Sequence, residues 1–172
     1  NSREIEYANA SFGQGIALSP IEMTRALASL GNGGKLVVPH LVKEVKYELG
    51  KDKKMTYPTT DTKISGETAE EITRMMVRAM DSYGDGKVKL ENYSIAAKTG
   101  TAQVANNQAG GYYEDRHIHS FAGYFPAYDP EFIIFLYAVN PKGVRYSSET
   151  WTNPFIDITK FLINYYEVPP DR

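Results

Sequence analysis

The 172-residue chain contains no cysteine. Thiol catalysis, disulfide staples and cysteine-ligated zinc are thereby excluded. It also lacks any apolar run approaching the ~18 residues a spanning helix needs, so no membrane contact is expected from this segment. An excess of charge of one sign is missing too. With 19 basic and 21 acidic residues the formal charge is −2, which offers no electrostatic footprint for nucleic acid. Repeats and low-complexity runs are absent, and no signal-peptide pattern is visible. The chain opens on the polar Asn1-Ser2-Arg3-Glu4 rather than on Met, as a piece of a longer protein would, with any tether or export signal expected upstream. Nothing in it asks for a cofactor. What is present is a foldable core: 42% of residues are hydrophobic, too many for a disordered chain.

The first clear helix starts at Ser19-Pro20-Ile21-Glu22, where a capping serine, a first-turn proline and a capping-box acid stand in order. Met23, Ala26, Leu27 and Leu30 give it one apolar face, and Gly31-Asn32-Gly33-Gly34 ends it. Residues 35–38 and 41–47 read as short strands around Pro39, and residues 50–66 as a polar surface loop. A second helix is expected from Ser65 to about Met80, with Ala69, Ile72, Met76, Ala79 and Met80 as its buried stripe. Three strands follow, over residues 94–104, 119–125 and 132–140, joined by links short enough to favour an antiparallel meander. A last helix is expected from Asn153-Pro154 to about Tyr166, laying Phe155, Ile158, Phe161, Leu162 and Tyr165 against the sheet. This order predicts an α+β fold with helices packed on an antiparallel three-strand meander.

Chemistry concentrates in Lys98-Thr99-Gly100-Thr101, which falls on the first strand of the meander. A cation beside two hydroxyls and backbone N–H groups suits a carboxylate or a developing oxyanion. Alternation puts Lys98 and Gly100 on one face and Thr99 and Thr101 on the other, unless a bulge at the glycine brings Thr101 round. Gly100 removes a side chain where something approaches the backbone closely. Against this stands the plainer reading of a sheet strand that happens to hold lysine and threonine.

Lys-Thr-Gly is the third motif of penicillin-binding proteins and serine β-lactamases, and the surrounding blocks extend the likeness. The chain resembles the class B penicillin-binding proteins, the monofunctional peptidoglycan transpeptidases. Residues 10–23 (ASFGQGIALSPIEM) are similar to that family's GQG segment and the helix after it. Residues 30–42 are similar to its NGG stretch, and Ala96-Ala97-Lys98-Thr99-Gly100-Thr101-Ala102-Gln103 to its GKTGTAQ strand, with Ala97 in place of the common glycine. Residues 120–126, Asp129-Pro130, the Asn153-Pro154-Phe155 helix and residues 165–171 continue it. The resemblance implies an incomplete transpeptidase fold: residues 1–172 as the C-terminal portion of one domain. It also implies a parent that cross-links peptidoglycan stem peptides by serine acyl transfer and binds β-lactams at the outer face of the bacterial membrane. Lys98 would bring charge to the site, Thr99 and Thr101 would hold the substrate carboxylate around Gly100, the Thr101 N–H would form half an oxyanion hole, and Gln103 would touch the substrate strand.

Neither Ser-x-x-Lys nor Ser-x-Asn occurs; Lys98 stands four residues after Ser94, one too many. In the family both motifs precede the GQG block, so this segment alone is expected to be inactive and to depend on the remainder of its domain. Its sheet would otherwise keep an unpaired edge and an uncovered apolar face, favouring self-association. Tyr7-Ala8-Asn9 matches a Tyr-x-Asn variant of the second motif but stands where the family has ordinary sequence. His117 and His119 share a strand face with Glu114 and Asp115 nearby, yet fall short of the convergence a zinc site requires, so no metal is expected. His40 reads as a turn support, and Trp151 either touches substrate or packs. Two rival readings remain: a non-catalytic β-lactam sensor or scaffold on the same fold, and an unrelated α+β domain with a chance KTGT.

Overall fold

The computed structural model describes residues 2–106 and 108–172. Its centre is an antiparallel sheet of β5 (Ala96–Ala105), β6 (Tyr112–Phe125) and β7 (Phe132–Val139) in that order. Around it stand α1 (Ser2–Ser11), α2 (Pro20–Gly31), α3 (Gly66–Asp81) and α4 (Ser147–Tyr165). Four two-residue strands complete the set: β1 (Lys35–Leu36), β2 (Glu44–Val45), β3 (Lys53–Lys54) and β4 (Thr60–Asp61). The α+β meander expected from sequence is what forms.

The sheet is packed on both faces around its centre, while Tyr137 and Val139 near the end of β7 stay exposed. On one, Ala97, Phe121, Phe125 and Ile134 meet Phe155, Ile156 and Ile163 of α4, the rings of Phe121 and Phe155 lying 4.3 Å apart. On the other, Ala96, Tyr124 and Ala127 pack with Val77 of α3 and Leu30 of α2. Period-2 alternation along β5 and β6 sorts side chains to these two layers. Gly123 makes the first layer possible: a Cβ there would lie 2.6 Å from Ala97 Cβ and 2.7 Å from Phe155 Cζ. Ala97 is therefore accommodated by the glycine opposite it in register.

Both predicted stripes prove rotated. On α3 the buried residues are Ala69, Thr73, Val77 and Met80, while Ala79 is exposed. Thr73 tolerates burial because its hydroxyl donates to Ala69 O (2.9 Å) and accepts from the Tyr124 hydroxyl (2.7 Å). Burial pushes the Tyr124 phenol above its ordinary pKa. On α4 the sheet side is Ser147, Phe155, Ile156, Thr159 and Ile163; Ile158, Phe161 and Tyr165 face outward. α4 also begins six residues before Asn153. Glu149 reaches back to the N–H groups of Tyr146 (2.8 Å) and Arg145 (3.0 Å), and the first turn is docked on the sheet. Pro154 is thus carried inside the helix, a position that tertiary packing sustains despite its intrinsic cost of ~3 kcal/mol.

Capping at α2 is as expected. Glu22 accepts from Ser19 N (2.8 Å) and its own N–H donates to Ser19 Oγ (3.3 Å). The Ser19 hydroxyl, followed by the Ser19 N–H, holds the Glu22 carboxyl below its ordinary pKa. The polar stretch 50–66 is not a plain loop: β3 pairs back to β2 and β4 to β1, giving one short ribbon nested in another. His40 stacks on Tyr57 (3.6 Å) and donates through Nδ1 to Val38 O (2.8 Å), supporting the turn between them. The polar opening, read without structure from sequence, forms α1, with Asn9 O capping its end through Phe12 N and Gln14 N. Far along the chain, Asp171 accepts from the backbone N–H (2.7 Å) and hydroxyl of Ser94, and Arg172 makes two bonds to Asp81 (2.6 and 2.8 Å). This clasp ties the tail to the entrance of β5.

Candidate active site

The tetrad lies on a regular stretch of β5. Pairing with β6 is unbroken from Ala96↔Tyr124 to Gln103↔His117, and the bulge falls later, between Gln103 and Ala105. Thr101 is therefore not turned round at Gly100; it stays on the α4 face, opposite His119, while Lys98 lies on the other. What Lys98 and the two threonines share is an edge. β5 is the terminal strand of the sheet among the described residues. Ala96 O and Gly100 O lie on the β6 side, close to Gly123 and Ser120, whereas Thr99 O accepts from Lys98 Nζ at 3.1 Å. By the two-residue period, the N–H of Thr101 leaves on the same outer edge as the Thr99 carbonyl.

Lys98 and Thr101 are exposed, Thr99 and Gly100 half-buried. A small cleft of about 80 Å³ lies beside Lys98, lined by Ala79, Met80, Tyr83, Ala97, Thr99 and Phe121. The close approach anticipated at Gly100 is by the protein itself: a Cβ there would stand 2.6 Å from Ser120 Oγ. Gln103 is half-buried, and its amide donates to Tyr113 O (3.3 Å) across the β5–β6 hairpin. The outer edge of β5 thus presents a cation on one side, hydroxyls on the other and backbone donors between, a constellation suited to an anionic peptide end.

The Thr101 end is held by Ser147, which the sequence did not single out, and by His119 and Trp151, which the sequence offered for other roles. Ser147 N donates to Thr101 Oγ1 (3.0 Å) and Ser147 Oγ to Ser120 O (2.5 Å). His119 is completely buried, with Nδ1 2.8 Å from Thr150 Oγ1 and Nε2 3.1 Å from Arg145 O. Trp151 packs rather than lying free, its Nε1 donating to His119 O (3.1 Å). Both His119 nitrogens are spent, so the His117–His119 pair, 6.4 Å apart between rings, does not converge on a cation. No group of three His, Cys, Asp or Glu suited to a metal occurs among the described residues. The signal available in sequence was a histidine alternating with apolar residues; its partners follow only from register and from where α4 begins.

Comparison with known proteins assigns the chain to a family. The family described as penicillin binding protein transpeptidase domain matches residues 1–160. The chain belongs to this family. It is 34% identical over 155 residues to stage V sporulation protein D of Bacillus subtilis, covering 88% of this chain and 24% of that protein. It is 30% identical over 172 residues to the probable peptidoglycan D,D-transpeptidase PenA of Neisseria gonorrhoeae, covering 99% and 28%. Among solved structures it is similar to penicillin binding protein 3 of Mycobacterium tuberculosis complexed with ampicillin, with a TM-score of 0.80 at 26% identity over 95% of this chain and 38% of that one. The chain thus spans roughly a quarter of the length of these curated relatives. No helix among the described residues is long and apolar enough to cross a membrane.

Proposed function

We propose that this chain is the carboxylate-holding portion of a serine-type peptidoglycan D,D-transpeptidase, completed by the preceding part of the same domain. The observation that carries the reading is the outer edge of β5, flanked by Lys98 on one face and Thr99 and Thr101 on the other. A serine from upstream attacks the carbonyl carbon of the D-Ala-D-Ala peptide bond. The C–N bond breaks, the terminal D-alanine leaves as its amine with a proton, and a serine ester remains. The amine of a second stem peptide then attacks the ester, forms the cross-link and returns the serine hydroxyl. Lys98 supplies positive charge, Thr99 and Thr101 hydroxyls bind the terminal carboxylate, and the Thr101 N–H faces the oxyanion together with the nucleophile's own N–H. Gly100 leaves room for Ser120, and Gln103 is an outer contact, since its amide already serves Tyr113. β-Lactams present a carboxylate beside a strained amide and acylate the same serine. The complete protein works outside the cytoplasmic membrane, where its substrates are, and this segment alone forms no acyl-enzyme.

Intact-mass measurement of the natural full-length chain, denatured after incubation with benzylpenicillin, tests this. A mass gain of one drug on a serine upstream of Asn1 is expected. A folded chain without adduct would replace this reading with that of a non-catalytic sensor or scaffold.

A further inference from the structure

Thr101 is exposed, yet its hydroxyl is not free to turn. Ser147 is the first residue of α4, and its N–H is one of the helix's unpaired terminal donors, carrying the positive end of the dipole. Here that N–H is spent on Thr101 Oγ1. A hydroxyl has one hydrogen and two acceptor lone pairs. Because the backbone N–H only donates, the Thr101 hydrogen lies away from α4, and no acceptor among the described residues takes it. The group is left as a donor aimed out of the protein, polarised by the helix end behind it.

Ser147 is kept in place by His119, the register partner of Thr101. Arg145 O can only accept, which puts the imidazole hydrogen on Nε2 and leaves Nδ1 to accept from the Thr150 hydroxyl. One buried ring thus pins the chain two residues before Ser147 and three residues after it. The Trp151 indole on His119 O and the Ser147 hydroxyl on Ser120 O close the arrangement.

We propose that His119 and the backbone N–H of Ser147 are positioning groups that make the Thr101 hydroxyl an oriented donor for the substrate's carboxylate. The proposal rests on the transpeptidase reading and assigns how that site discriminates a charged peptide end.

The test measures second-order acylation rates of the full-length chain by benzylpenicillin and by its methyl ester, in which the carboxylate is masked. S147A loses the hydroxyl but keeps the N–H and sets the reference. S147P removes the N–H as well. Proline suits a first helical position, and Tyr146 already holds the extended conformation (φ −116°, ψ 148°) that a residue before proline requires. S147P against S147A, and H119L against wild type, are expected to lower the acid-to-ester rate ratio about tenfold, the worth of a lost charge-assisted hydrogen bond. H119Q, which keeps a donor near the Nε2 position, should recover part of the ratio. An unchanged ratio, whether both rates fall together or neither does, would overturn the proposal. If H119L does not fold, S147P against S147A decides. A wild-type chain acylated by neither drug overturns the transpeptidase reading, and this inference with it.

Discussion

The sheet core and the opening segment of this chain treat their apolar residues differently. From β5 onward Phe121, Phe125 and Phe155 are at most 1% exposed, and each sits against a partner from another element. Before α3, Ile5, Phe12, Ile16, Leu41 and Leu49 are between 58% and 102% exposed. The same kind of side chain is sealed where three strands and α4 enclose a volume, and open where short ribbons and α1 have no layer above them. Burial is a property of enclosure, and an apolar surface of this extent marks where other protein packs. We propose that the rest of the transpeptidase domain is that cover.

Substitutions can break or sharpen that contrast. F155A should have the largest effect, removing the centre of the α4 layer and costing about 3–5 kcal/mol. F12A, on the open side, should cost less than about 0.5 kcal/mol in the same urea titration if nothing covers it, and more if upstream sequence does. G123A comes next, at about 1–3 kcal/mol, because its new methyl meets Ala97 and Phe155. Adding A97G should return part of the loss; equal instability of single and double variants would point to the Phe155 contact or the Ala96 carbonyl instead. Y124F follows at about 1 kcal/mol, since Thr73 keeps its bond to Ala69 O. The Tyr124 phenol titrates higher in the folded state than the ~10 of the unfolded chain. Its contribution is therefore complete below pH ~10 and is lost as pH rises through the folded value, a loss Y124F should not show. E22Q should change stability least. Because the Glu22 carboxyl is held low, its contribution is present above the unfolded value of ~4.3 and fades as pH falls through the folded one. Wild type and E22Q should diverge at neutral pH and converge in acid when α2 is followed by hydrogen exchange.

The same contrast governs what the sequence could reveal. α2, α3 and the meander were legible because capping residues and period-2 runs are local signals. The tetrad was legible because it is contiguous. The stripe on α3 was misjudged at Thr73, whose burial depends on a hydroxyl partner 51 residues away. The start of α4 was misplaced because Asn153-Pro154 imitates a helix beginning, while the true beginning is set by Glu149 and by docking on His119 and Thr101. β3 and β4 are two residues each, too short for any periodicity to register. In the candidate site, Lys98, Thr99, Gly100 and Thr101 could be named as expectations, but not the group behind Thr101, because register and a helix start must both be known first.

The clasp from Asp171 to Ser94 has a consequence for how this protein is made. A ribosome delivers the Lys98-Thr99-Gly100-Thr101 strand well before it delivers Asp171, which stands 77 residues after the Ser94 it fastens. At ~5–20 residues per second, the nascent strand waits several seconds with one end unfastened and its outer edge bare. During that interval its safety depends on whatever meets it first, a chaperone or the already emerged helices α2 and α3.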